Sequence, residues 1–188
     1  MKTRRCSLCR QKIPEVDALI SSLRAFCSVD HLLDYAKTDR AKQYVKKAVR
    51  KETKERKEKL KTRSDWQKEA QKAFNQYIRE RDRKKPCVSC GALQGVVVRG
   101  GAFDAGHYRS RGSAPHLAFH THNCHAQCVK CNRFLGGNIV EYRKKLIARI
   151  GIEKLERLEQ DNRPRHYTVE DFRRIIKICK KRKRQCQK

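Results

Sequence analysis

Cysteines spaced C-x-x-C occur three times in this chain: Cys6 and Cys9, Cys87 and Cys90, and Cys128 and Cys131. Chance rarely produces three such pairs from ten cysteines in 188 residues, and the spacing suits tetrahedral zinc–thiolate chemistry. Cys87-Val88-Ser89-Cys90 and Cys128-Val129-Lys130-Cys131 enclose a single block, which predicts a four-cysteine structural zinc site. Such a site contributes on the order of 10 kcal/mol to the folding of a small metal-dependent unit. The first pair has two further partners near it in sequence, Cys27 and His31, and together they predict a second zinc site of three cysteines and one histidine. The competing reading leaves His31 as an ordinary helix-surface residue. Cys124 offers an alternative pairing with Cys128 but reads better as a core residue or bystander. Cys179 and Cys186 receive no role.

The block between the knuckles carries Asp104-Ala105-Gly106-His107-Tyr108, then Asn123, and Asn132 follows the last cysteine. Taken singly, these are ordinary core and turn residues. In this order, with knuckles at matching positions, they resemble the HNH or ββα-metal nuclease superfamily. There a His ends the first strand, an Asn follows the loop, and a His or Asn starts the helix, as Cys128-x-x-Cys131-Asn132 does here. The resemblance implies phosphodiester hydrolysis. A neutral imidazole has a pKa near working pH and can take a proton from water, a role that falls to His107. A hard cation, Mg²⁺ or Mn²⁺, would neutralise charge on the phosphate and the leaving oxygen, with Asn132 supplying one oxygen. Asn123 would orient His107 through a hydrogen bond. Most HNH sites place a metal-binding Asp or His just before the base, where this chain has Gly106. Asp104 is the nearest carboxylate, and strand alternation would put it on the face opposite His107. A kink or bulge at Gly106 would then be needed to bring it round. Arg109 and Arg111 read as phosphate clamps and His125 as a second histidine near the phosphate. His116, His120 and His122 read as loop residues.

These residues need elements to hold them. Residues 1–36 form a small zinc-binding module, too short to fold by burial alone. Residues 37–63 lack Gly and Pro and carry only scattered apolar positions (Tyr44, Val45, Val49, Leu60), which predicts a long solvated basic helix or arm. Residues 64–188 hold the nuclease-like domain with flanking helices. Its first helix is expected to start with Ser64 as N-cap and Gln67 closing a capping box. Trp66, Ala70, Phe74, Tyr77 and Ile78 recur on one face of it, and it should end near Arg83, ahead of Pro86. Val96-Val97-Val98 and Phe103 to Tyr108 read as short strands. A helix from Asn138 should stop at Gly151, and a last one from Thr168 should bury Phe172, Ile175, Ile176 and Cys179. Lys180-Lys181-Arg182-Lys183-Arg184 reads as a basic tail. The fold class is therefore α+β.

Lys and Arg number 48 against 20 Asp and Glu, a formal net charge of +28. Such an excess calls for a polyanionic partner, and nucleic acid answers it through counterion release. A membrane partner has little beyond charge to support it. No apolar run approaches the ~18 residues that span a bilayer, and the basic start lacks the apolar stretch of a secretory signal. A cytoplasmic protein is expected. The likeness extends beyond HNH enzymes at large. Tyr77-Ile78-Arg79-Glu80-Arg81-Asp82, Pro86-Cys87-x-Ser89-Cys90-Gly91, Asp104 to Arg109, Ala114-Pro115-His116-Leu117, Gln127 to Asn132 and Gly137-Asn138 resemble the bacteriophage lambda NinG/Rap family of recombination endonucleases. His31 stands where that family carries a cysteine, and the Asp-Ala-Gly-His form recurs within it. The resemblance implies a phage- or prophage-encoded enzyme that cuts Holliday junctions and D-loops by structure. It also implies recombination proteins as partners, and symmetric junction cutting would favour a homodimer. Two rival readings are a non-catalytic zinc protein that binds DNA or RNA, and a sequence-specific HNH homing or restriction nuclease.

Overall fold

The computed structural model describes residues 2–94 and 103–188, so the strand expected at Val96–Val98 lies outside the described residues. The fold mixes helices with small antiparallel sheets. It divides into two units, Met1–Leu60 and Lys61–Lys188.

The first unit opens with two hairpins. β1 (Thr3–Arg5) pairs with β2 (Lys12–Pro14), and β3 (Leu19–Ser21) pairs with β4 (Arg24–Phe26). Ser22 and Leu23 both take positive φ, the geometry that lets a two-residue turn match strand twist. α1 (Val29–Lys37) starts at Ser28, whose hydroxyl accepts from the His31 amide. At Thr38 the chain turns extended, and the Thr38 hydroxyl accepts from Ala41 to cap α2 (Asp39–Lys59). Only Ala41 of α2 is buried, as its thin apolar stripe implies. The apolar cluster here is small: Cys6, Phe26, Tyr35 and Ala41.

In the second unit, α3 (Arg63–Arg81) buries the expected face of Trp66, Ala70, Phe74, Tyr77 and Ile78. Its cap is Thr62, not Ser64. The Thr62 hydroxyl accepts from the Asp65 amide, and the Asp65 carboxylate accepts from the Thr62 amide. The polar–acid pair two residues upstream meets the same need, so Ser64 falls inside the first turn. α6 (Val169–Cys186) lies along α3 and adds Phe172, Ile176 and Cys179 to one core, with Tyr167 and Cys124. The basic run Lys180–Arg184 continues that helix and is no separate tail. β5 (Asp104–His107) and β6 (Cys124–Gln127) form a regular antiparallel pair against α3. A second core joins Val88, Tyr108, Ala114 and Leu117 to α4 (Ile139–Ile150) and α5 (Ile152–Gln160). Gly151, at φ +83°, stops α4 as expected, but α5 starts immediately after it and was not anticipated. Among the described residues no helix is long and apolar enough to cross a membrane.

Candidate metal centres and an arginine-rimmed cleft

Both predicted metal clusters assemble. The ligand atoms of Cys87, Cys90, Cys128 and Cys131 all lie within 4.8 Å of one another, as do those of Cys6, Cys9, Cys27 and His31. Zinc bound to sulfur at about 2.3 Å in a tetrahedron sets a sulfur–sulfur edge of about 3.8 Å. The Cys90–Cys128 and Cys9–Cys27 sulfurs are each 3.7 Å apart, so both clusters have the dimensions and donors for a metal ion. Local backbone builds them. Gly91, at φ +80°, closes the first knuckle with its amide on the Cys87 carbonyl, and the Cys128 amide donates to the Cys87 sulfur. Burial works against the Cys87 thiolate. Even so, amides from Cys128, Cys90 and Ser89 hold its pKa below the ordinary thiol value, while burial and the neighbouring sulfurs push Cys128 up to about 12. The N-terminal cluster shows the same split, with Cys6 lowered to about 5 against its burial, and Cys27 raised to about 11 first by burial. In each cluster one thiolate forms easily, while Cys27 in one and Cys128 and Cys131 in the other resist accumulating negative charge. A bound dication removes that repulsion.

Beside the Cys87, Cys90, Cys128 and Cys131 cluster lies a polar cleft of about 1060 Å³. Its lining includes His107, Asp104, Asn132, Arg133, Arg109 and Arg111, with Asn75 and Arg79 contributed by α3. Asp104 and His107 share it although β5 has no bulge, which corrects the expectation that a kink at Gly106 was required. The lining runs nearly continuously from Asp104 to Ser113, so the cleft follows the edge of β5 and both faces contribute. Gly106 has a different reason. A Cβ there would sit 2.1 Å from Gln127 Oε1. The Gln127 amide crosses that spot to donate to Ser89 Oγ and the Gly137 carbonyl, tying knuckle, sheet and α4 entry together.

His107 Nε2 is 3.0 Å from the Ala118 carbonyl, which can only accept, so the ring proton is on Nε2 and Nδ1 carries the lone pair. Nδ1 lies 3.7 Å from the thiol of Cys124, the residue opposite on β6. Burial lowers the His107 pKa, the Ala118 carbonyl opposes that, and Arg111 adds to the lowering, so the ring is neutral at pH 7. Among the described residues the Asn123 side chain makes no hydrogen bond to His107, contrary to expectation. Its oxygen accepts from the Arg109 amide and its nitrogen donates to the carbonyls of Arg109 and Leu117. It closes the loop that carries Ala118, so it positions the ring at one remove. Asn132 Nδ2 donates to Asp104 Oδ2 at 3.0 Å, and Arg133 bridges both Asp104 oxygens. Burial of Asp104 is outweighed by these two partners, which lower its pKa.

Two basic residues differ from the sequence reading. Arg109 lines the cleft, but its guanidinium is spent on the carbonyls of Leu158, Glu159 and Asp161 and on Asn162, so it pins the end of α5. His125 is buried on β6 away from the cleft, 6.3 Å from the Tyr142 ring, and burial first, then Arg81, lower its pKa to about 3. Arg111 does reach the cleft and is exposed. Arg79 and Asn75 were missed. Their sequence signal was a polar i, i+4 pair flanking the apolar stripe of α3.

Comparison with known proteins follows the same lines. The family described as Bacteriophage Lambda NinG protein matches residues 1–188. Over 116 residues the chain is 47% identical to Protein ninG of Escherichia phage lambda, covering 62% of this chain and 54% of that protein. The values are 48% for Protein ninG of Escherichia phage 933W and 47% for that of Salmonella phage P22, each covering 62% of this chain and 55% of the relative. The chain thus spans about half the length of the curated relatives it matches. No solved structure matches it.

Proposed function

The chain belongs to the NinG family, and from that premise we propose that it is an HNH-type, metal-dependent endonuclease for branched DNA. One observation carries the reading. An imidazole with its proton fixed on Nε2 and its Nδ1 lone pair unprotonated shares a single polar cleft with the adjacent oxygen donors Asp104 and Asn132. A neutral imidazole of this kind takes a proton from the attacking water. The carbonyl of Ala118 steadies the ring as it becomes charged, and Asn123 fixes the loop bearing that carbonyl. Asp104 and Asn132 would hold Mg²⁺ or Mn²⁺. That ion would supply charge neutralisation at the phosphate and leaving oxygen. Arg133, exposed at the cleft edge, now balances the Asp104 carboxylate and would have to yield that place. Arg79 and Arg111 remain for the phosphodiester backbone. The two cysteine clusters would take zinc as structural staples. They form one rigid base for β6 and Asn132, and one for the N-terminal unit.

Branched substrates are the reading that the NinG/Rap resemblance implies. The +28 charge agrees, because broad cationic surfaces read phosphate positions and little base identity. Host cytoplasm, recombination proteins as partners and a homodimer belong to the same reading. The test is cleavage of a four-way junction and of linear duplexes of identical sequence, with Mg²⁺ or Mn²⁺ and with EDTA. The junction should be cut only with metal, and His107→Ala should lower the rate about 10²–10⁴-fold with DNA affinity and zinc content kept. Equal rates for wild type and His107→Ala would remove His107 as the base. Binding without cutting under every metal condition would favour a non-catalytic zinc protein, and equal cutting of one duplex sequence would favour a sequence-specific enzyme.

A further inference from the structure

The N-terminal unit contains a groove of about 580 Å³ that plays no part in either metal cluster. Its walls come from Leu32 and Ala36 of α1 and from Ala41, Tyr44, Val45 and Val49 of α2. Positions 41, 45 and 49 form a stripe at helical spacing, and the unit leaves most of it uncovered: Tyr44 is 55% exposed, Val45 58% and Val49 54%. Water-facing apolar side chains clustered in a concave site mark a binding surface more often than scattered ones do. The charged residues of its lining are all cationic. Arg24, Lys42, Lys46 and Arg50 line the groove, and among the described residues no carboxylate does. Arg24 lies over the rings of both Tyr35 and Tyr44, at 5.2 and 5.5 Å from their centroids, so its charge is held at the mouth. The Tyr35 hydroxyl, in the same wall, is buried without a hydrogen-bond partner among the described residues.

We propose that this groove docks an acidic peptide segment of a partner protein, seating an apolar side chain on the stripe while flanking carboxylates meet the cationic rim. Charge complementarity selects that occupant, because an apolar peptide alone would leave four cations facing a dry interface. The aliphatic floor argues against nucleic acid, whose bases stack on aromatic platforms. Here only Tyr44 offers an exposed ring among the wall residues named. Helical or extended peptides with apolar anchors are a common mode of groove recognition. The proposal is independent of the chemistry in the nuclease-like cleft.

The test uses the zinc-loaded full chain to pan a random 12-mer peptide library, followed by fluorescence anisotropy with the enriched peptides labelled by fluorescein. Enriched sequences should combine Asp or Glu with Leu, Ile, Phe or Trp. Val45→Gln/Val49→Gln should weaken them at least tenfold, and Lys46→Gln/Arg50→Gln likewise. These positions are solvent-facing on a helix, so glutamine keeps the backbone. In addition, hydrogen exchange of wild-type protein should slow at residues 41–50 when peptide is added. No enrichment, or enriched peptides indifferent to the valine pair, would overturn the proposal. A tenfold loss of labelled single-stranded dT20 binding in the valine variant would reassign the groove to nucleic acid.

Discussion

Single side chains in this protein often act through another residue. Gln127 shows it most directly, since its amide needs the space that a side chain at 106 would take. Gly106→Ala should therefore cost about 1–3 kcal/mol of stability, the usual penalty for forcing a methyl into packed surroundings. Adding Gln127→Ala should return part of it by clearing the clash, while removing the bonds to Ser89 and Gly137. Urea denaturation of Gly106→Ala and of the double variant would settle this, and Gly106→Ala as stable as wild type would show that the cross-strand contact is not tight. The same logic separates Asn123 from His107. The expected direct bond is absent, and the amide fastens Arg109 to Leu117 across the loop. Sequence exposed the residue types at this site but not their partners, because a hydrogen bond spanning fourteen positions leaves no local pattern.

At the scale of elements, much was legible and the reasons are physical. The buried face of α3, the stop at Gly151 and the cap at Thr168 follow from short-range rules, helical periodicity and terminus chemistry. What stayed hidden was non-local. Arg109 looked like a phosphate ligand because nothing near it in sequence announces the carbonyls at the end of α5. His125 looked accessible until β6 placed it inside. The junction between α3 and β6 gives a signed prediction. Asp82 is fully buried and accepts from Arg81 and the Ala126 amide. Burial would raise its pKa, but these partners, with Arg81 foremost, hold it at about 2. Against an unfolded value near 3.9, the depressed pKa contributes about 2–3 kcal/mol. That contribution is full above about pH 4 and is lost as pH falls toward 2. Asp82→Asn should thus be less stable by about 2–3 kcal/mol, equally at pH 6 and pH 8, in denaturant titrations of zinc-loaded protein. A gap that widened or closed across that range would mean that another group titrates with the pair.

For the whole molecule, the question is what holds two units together internally when the chain carries a net charge of +28. Self-repulsion works against compactness, and the two units resist it differently. The N-terminal unit has one small apolar cluster, and Cys6 is itself part of it. Burial on that scale does not fold sixty residues without a staple. The second unit has two larger cores built without its zinc-type cysteines, on α3 with α6 and on α4 with α5. Its cysteines join a third, smaller group around Phe103 and Ala126. Cys9 and Cys90 are exposed members of their clusters, so serine at either removes a ligand without opening a cavity. Cys9→Ser and Cys90→Ser should each reduce bound zinc from two ions per chain to one. Hydrogen exchange should then diverge. Cys9→Ser should lose protection across the hairpins and α1. Cys90→Ser should lose it around the knuckles and Asn132, while α3 and α6 stay protected by their own core. Zinc content unchanged in either variant would exclude that cluster as a metal site. Loss of protection in both units from one substitution would show that the staples are coupled, and the division of labour argued from core size would fall.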